Sequence, residues 1–171
     1  DQNIDPNDIE KKISRKTKAI MPVHLTGRAC EMNEIKKLSN KHKIPIIEDA
    51  AQAIGTKYRN KFVGTFGDIG CFSAHPLKNL NAVGDAGYLV TNNKKLAQKA
   101  KILRNHGIQK RNKVLSFGYV SRMDNLQACV LNLRFKKLKK IISKRRSNAA
   151  LYFRYLKNLQ NIQLPKEKTH E

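Results

Sequence analysis

A strand–helix–strand pattern within the first fifty residues constrains this chain more than any other feature. Ala19 to Val23 reads as a short strand, Glu31 to His42 as a helix with Met32, Ile35 and Leu38 on one face, and Ile44 to Ile47 as a second strand. The second run is compact and β-branched, as a buried parallel strand should be. Two such runs flanking an apolar period of 3.6 predict a βαβ unit, expected to cross over right-handed. Phe66 to Ser73 and Ala86 to Thr91 read as further strands broken by glycine turns. Asn93 to Arg104 reads as a helix with Leu96, Ala100 and Leu103 inward. The alternation predicts α/β architecture.

Ser121 and Asp124 form a capping-box-like start, and the apolar series behind them predicts one long helix from about Asp124 to Ile142. Another helix follows, with Ala149, Tyr152, Phe153 and Leu156 on one side. The formal charge is +22, which raises nucleic-acid binding as a hypothesis. The basic residues, mostly lysine, are spread along the chain. Through and just before their densest stretch, Arg134 to Arg146, Leu131, Phe135, Leu138 and Ile142 recur at helical spacing. That is a helix with one buried face and a solvated basic face, without a nucleic-acid recognition motif. A positive field also suits a substrate carrying a diphosphate.

Hydrophobic residues make up 40% of the chain, and no apolar run approaches the ~20 residues of a membrane span. The opening DQNIDPNDIEKK has neither a basic leader nor an apolar signal core, so a cytoplasmic protein is the expectation. Cys30, Cys71 and Cys129 are odd in number and widely spaced, without a CxxC pair. They read as small buried hydrophobes or free thiols, and no metal site is expected.

Two runs carry chemistry. IPIIEDAAQAIG, residues 44–55, ends an apolar strand in an acidic pair and then presents Gln52. CFSAHPLKNLNAVGDAG, residues 71–87, offers the Ser73 hydroxyl and the Lys78 amine in a loop with glycines behind it. An amine, a carboxylate and phosphate donors are the set that carbonyl chemistry on pyridoxal phosphate requires. Asp49 lies just past the carboxyl end of its strand, where open α/β sheets hold ligand-binding groups. On the residues alone it reads equally well as an N-cap for AAQA. Glu48 points to the opposite face of a strand and is the lesser candidate. His24 follows the first strand and His75 precedes Pro76; either lines the crevice or plays a structural part.

These words, with KTKAIMPVHLTG at 16–27, VGTFGDIGCFS at 63–73, LRNHG at 103–107 and GYVSRMDNLQA at 118–128, resemble the DegT/DnrJ-type nucleotide-sugar aminotransferases of fold-type I almost end to end. The resemblance implies the large domain of a fold-type I transferase, an α/β/α sandwich around a mostly parallel sheet. It implies pyridoxal 5′-phosphate as cofactor, with Lys78 as the amine that links to it and then moves the proton between the substrate Cα and the cofactor's C4′ carbon. It gives Asp49 the pyridine nitrogen, Ser73 the phosphate and Gln52 the phenolic oxygen. Arg122, with His75 and His24, becomes a candidate substrate or anion contact. The implied substrate is a nucleotide-linked keto-sugar, with glutamate as amino donor, in a homodimer that shares its active sites.

Members of that family are much longer, so the resemblance also implies an internal piece that does not transaminate alone. Residues 1–142 would then belong to the cofactor-binding domain, and residues 143–171 to a connecting helix and the start of a small C-terminal domain. One departure is Val120, where the family reads asparagine and uses it on the neighbouring subunit's phosphate; valine cannot donate a hydrogen bond. Sugar-dehydratase relatives replace the lysine, commonly with histidine, and Lys78 argues against them. A non-catalytic basic module or an inactive fragment is the reading from outside the enzymes.

Overall fold

The computed structural model describes residues 2–166. A three-stranded sheet organises it, in the order β1 (Ile47–Asp49), β4 (Ile69–Ser73), β5 (Gly87–Val90). β1 and β4 run parallel, with Asp49 opposite Cys71, while β5 returns antiparallel to β4. Between β1 and β4 the chain makes a small hairpin of β2 (Lys57–Tyr58) and β3 (Lys61–Phe62). The 20–23 stretch lies on the other side of β1 as two isolated parallel bridges, Ile20 to Ile46 and Val23 to Asp49.

The physical reason those residues form bridges and not a continuous strand is Pro22. Ile20 exchanges hydrogen bonds with Pro45 O and Ile47 N, and Pro22 O accepts from Asp49 N, all at 2.9 Å. The next bond of a parallel ladder would be donated by residue 22, and proline has no N–H. Pro45 likewise delays the second strand, which begins at Ile47 and not at Ile44. The connecting α2 (Met32–His42) turns Met32 and Ile35 into the core with Leu38 packed beside them, as the spacing predicts. α1 (Pro6–Lys12), N-capped by the Asp5 carboxylate, adds Ile9 to the same cluster.

The first core gathers Ile20, Ile46, Cys30, Ala50, Ala53, Tyr58 and Val63 around α2. The opposite sheet face, with Met21, Val23 and Leu89, is exposed. A second core joins Ala74, Leu80 and Ala82 to Leu131 and Leu138.

α3 (Lys94–Leu103) is N-capped by Asn93, whose side chain accepts from Lys95 N and Leu96 N. Its apolar side is only half buried. The β6 (Ile108–Lys110) and β7 (Lys113–Val114) hairpin follows.

The expected single helix from Asp124 to Ile142 is two helices. α4 (Asn125–Phe135) stops, and α5 (Leu138–Leu156) starts again after Lys136 and Lys137. The Asp124 side chain makes no capping hydrogen bond, so the capping box does not form. α5 then runs unbroken through residues 142 and 143, the expected domain seam, and absorbs the separate helix expected around Tyr152. Leu131 and Leu138 are buried, whereas Phe135 is exposed because it lies at the break. No helix among the described residues is long and apolar enough to cross a membrane.

Candidate active site

Alternation along β1 separates its two carboxylates. Glu48 points into the first core and is wholly buried. Its Oε1 accepts from the backbone N–H groups of Phe66 and Gly67, both at 2.6 Å. Its Oε2 accepts from Gly64 N at 2.6 Å and from His24 Nε2 at 3.1 Å. Burial alone would push this carboxyl up; the His24 hydrogen bond with those from Gly67 and Gly64 outweighs it and holds it below the usual carboxylate range. The 64–67 loop comes this close because β4 carries Gly70, where a Cβ would stand 2.0 Å from Gly64 O.

His24 is equally buried, and Cys30 N donates to its Nδ1 at 3.1 Å. With Nδ1 accepting, Nε2 carries the proton toward Glu48. The expectation that His24 faces the crevice as a substrate contact is therefore corrected: both ring nitrogens are engaged on the covered side of the sheet. Glu48 is on that side too, as its strand position predicts.

Asp49 faces the other way. It lines an open depression of about 270 Å³ at the carboxyl ends of β1 and β4, together with Met21, Ile47, Ala51, Cys71 and Ser73. Its Oδ1 accepts from Ala51 N at 3.0 Å, a turn contact; residues 50–55 form turns, so the N-cap alternative has no helix to cap. Cys71 lies opposite Asp49 in register, and burial followed by the Asp49 charge pushes its thiol pKa up. The thiol thus stays protonated and neutral beside the carboxylate.

Ser73 ends β4 at the same depression, where its Oγ accepts from His75 N at 3.3 Å. The chain then enters the loop that carries Lys78. Ala82 N donates to Ala74 O at 2.8 Å and closes the loop at its base, while Lys78 N donates to His75 O at 2.9 Å near its tip. Asn81 Nδ2 ties across to Pro76 O at 2.5 Å. The Lys78 side chain is half buried and makes no hydrogen bond or ion pair with the described residues. His75 is half exposed; its Nδ1 accepts from Leu77 N at 3.2 Å, and its Nε2 stands 4.0 Å from the Asp85 carboxylate.

Gln52 lies beside the depression and not in its lining, and its Oε1 accepts the Thr26 N–H at 2.7 Å. Thr26 there holds a left-handed φ of 55°. Arg122 and Val120 are exposed, in the segment that follows β7, and neither lines the depression. Asp49 and Ser73 thus share one depression, with Lys78 in the loop that leaves it and Gln52 at its edge. Gln127 and Arg134, whose side chains from α4 hold the end of the Lys78 loop, were missed by sequence reasoning. Their signal was the i, i+4, i+7 spacing of Gln127, Leu131 and Arg134.

A model of the DegT/DnrJ/EryC1/StrS aminotransferase family matches residues 1–171. The chain is 45% identical over 157 residues to the UDP-N-acetyl-3-dehydro-alpha-D-glucosamine 3-aminotransferase of Acidithiobacillus ferrooxidans, across 92% of this chain and 42% of that protein. The crystal structure of S. venezuelae DesV in complex with a ketimine intermediate matches with a TM-score of 0.94 and 37% identity, over 98% of this chain and 45% of that one. NtdA of Bacillus subtilis with bound cofactor PMP matches with a TM-score of 0.87 and 38% identity, over 96% and 38% respectively. The chain therefore spans less than half the length of these relatives.

Proposed function

The chain belongs to the DegT/DnrJ/EryC1/StrS aminotransferase family, and from that premise we propose that the whole protein moves an amino group, with glutamate as donor, onto a nucleotide-linked keto-sugar. The observation that carries this is the meeting of Asp49 and Ser73 in one depression, with the Lys78 amine, unpaired among the described residues, in the loop that follows. These residues fit pyridoxal 5′-phosphate by their chemistry: an anion for a pyridinium, a hydroxyl for a phosphate, an amine for an aldehyde. When bound, that cofactor supplies an electron sink for the substrate Cα.

In this reading Asp49 holds the ring nitrogen protonated through a charge-assisted hydrogen bond. Its backbone is fixed on the other side by the Glu48 cluster. Ser73 would donate to the phosphate, Gln52 would meet the phenolic oxygen, and Lys78 would carry the proton to and from the substrate carbon. Cys71, kept neutral, adds no second anion beside Asp49. His75 and Arg122 are the remaining candidates for the substrate's anionic groups. A homodimer with shared sites, a cytoplasmic location, and a division into a cofactor-binding unit at 1–142 and an outgoing segment at 143–171 complete the proposal.

The test is borohydride reduction of the full-length protein with pyridoxal phosphate, followed by peptide mapping. Label on Lys78 is expected; label on another lysine overturns the assignment.

A further inference from the structure

The Lys78 loop has an unusual backing. Gln127 Oε1 accepts from two successive backbone N–H groups, Val83 at 3.0 Å and Gly84 at 3.2 Å. One helical turn pair further along, Arg134 Nη1 donates to two successive carbonyls, Asn81 at 2.8 Å and Ala82 at 3.2 Å. Between them Leu131 packs on Leu80 and Ala82 in the second core. Two side chains of one helix therefore satisfy one backbone group at each of four consecutive positions, 81–84, in a segment outside any strand or helix. Gly84 belongs to the fit, since a Cβ there would stand 2.9 Å from Gln127 Nε2.

We propose that Gln127 and Arg134 are positioning residues that hold the 81–84 backbone, and through it the Lys78 amine, at the depression bearing Asp49 and Ser73. The inference rests on the reading of Lys78 as the cofactor-linking lysine. A lysine has four rotatable side-chain bonds, so its reach is sharp only if its backbone is fixed. The loop is short and closed at Ala74–Ala82, so fixing its descending end fixes its tip. Gln127 and Arg134 touch neither substrate nor cofactor in this arrangement; they act through the loop.

The test uses full-length protein stripped of cofactor, with Gln127→Met, Arg134→Met and Gln127→Glu. The primary readout is the rate at which pyridoxal phosphate becomes borohydride-fixed on Lys78; the second is the pH midpoint of its visible absorbance. Both methionine variants are expected to load about tenfold more slowly and to shift that midpoint, with kcat falling and KM for the sugar unchanged. Gln127→Glu is expected to load at the parental rate, because a carboxylate accepts the same two N–H groups.

Parental loading and midpoint in both methionine variants would overturn the proposal. So would an equal loss in Gln127→Glu, which would make the contact one of packing. If the methionine variants do not fold, Gln127→Asn and Arg134→Lys shorten the reach while keeping the chemistry, with the same direction expected and parental values again overturning it. Failure of the underlying reading is separately visible, since the parent protein would then carry its label on a lysine other than Lys78.

Discussion

Replacing Glu48 by glutamine should destabilise the protein severely, although the change removes no atom from the core. The carboxylate receives four hydrogen bonds, two at each oxygen, and is wholly buried. An amide can match only one of those oxygens. In either orientation its NH₂ faces two donors, Phe66 and Gly67 N–H on one side or Gly64 N–H and His24 Nε2 on the other. His24 cannot relieve the second case by switching tautomer, because its Nδ1 already accepts from Cys30 N.

Two buried donors left unmatched cost about 1–3 kcal/mol each, partly offset by removing a charge that had to be desolvated. A net loss of about 3–4 kcal/mol follows, a large share of the 5–15 kcal/mol typical of a domain. Urea unfolding of the full-length protein is the assay, with the midpoint falling and the slope unchanged. A pH series adds the sign: a carboxyl held below its free value of 4.5 contributes stability above that value and loses it as pH falls through the folded value. Glu48→Gln should flatten that acid limb. A loss below about 1 kcal/mol, with the acid limb unchanged, would refute the argument.

Asp49→Asn should leave Lys78 able to capture pyridoxal phosphate yet slow the amino-transfer half-reaction by more than tenfold, because a neutral amide holds a pyridinium poorly; stopped-flow rates within a factor of about three of the parent would contradict this. Gly70→Ala should cost about 3 kcal/mol by thermal unfolding, since the new Cβ meets Gly64 backbone at 2.0 Å and pushes the loop off Glu48; an unchanged Tm would show that the loop yields freely. Val120→Asn, at a position 68% exposed, should tighten pyridoxal phosphate in the full-length protein by ~1–2 kcal/mol if the segment meets a neighbouring subunit's phosphate. Titration of both cofactor-free forms decides, and equal or weaker affinity argues against that contact.

The apolar period of α2 was strong enough to read directly, because Met32 and Ile35 bury and Leu38 packs beside them where their spacing says they should. What escaped were effects of single backbone atoms. Pro22 breaks a ladder that the apolar run 19–23 otherwise announces, and no hydrophobic pattern records a missing N–H. The α4–α5 break escaped because an apolar stripe continues across it, from Leu131 to Leu138, while Lys136 and Lys137 leave the helix. That Asp49 and Ser73 would meet was legible because both stand at strand ends, where open α/β sheets gather polar groups, and Lys78 follows in the next loop. His24 was misjudged because a histidine after a strand looks the same whether it faces a crevice or a buried glutamate 24 residues away. Gln127 and Arg134 were hidden for a related reason: their partners are backbone atoms, which any sequence possesses.

The closed loop around Lys78 has a consequence for proteolysis. Trypsin accepts its substrates as extended segments, so cleavage after a lysine needs several neighbouring residues to unfold locally. Here the chain from Ala74 to Gly84 is tied to itself at Lys78–His75, Asn81–Pro76 and Ala82–Ala74, and to α4 at its far end. The bond after Lys78 should therefore survive while others of the 35 lysines and arginines are cut, above all along the exposed basic face of α5. A segment without regular secondary structure is thus guarded as a core strand would be, and Lys78 is among the lysines a protease reaches last.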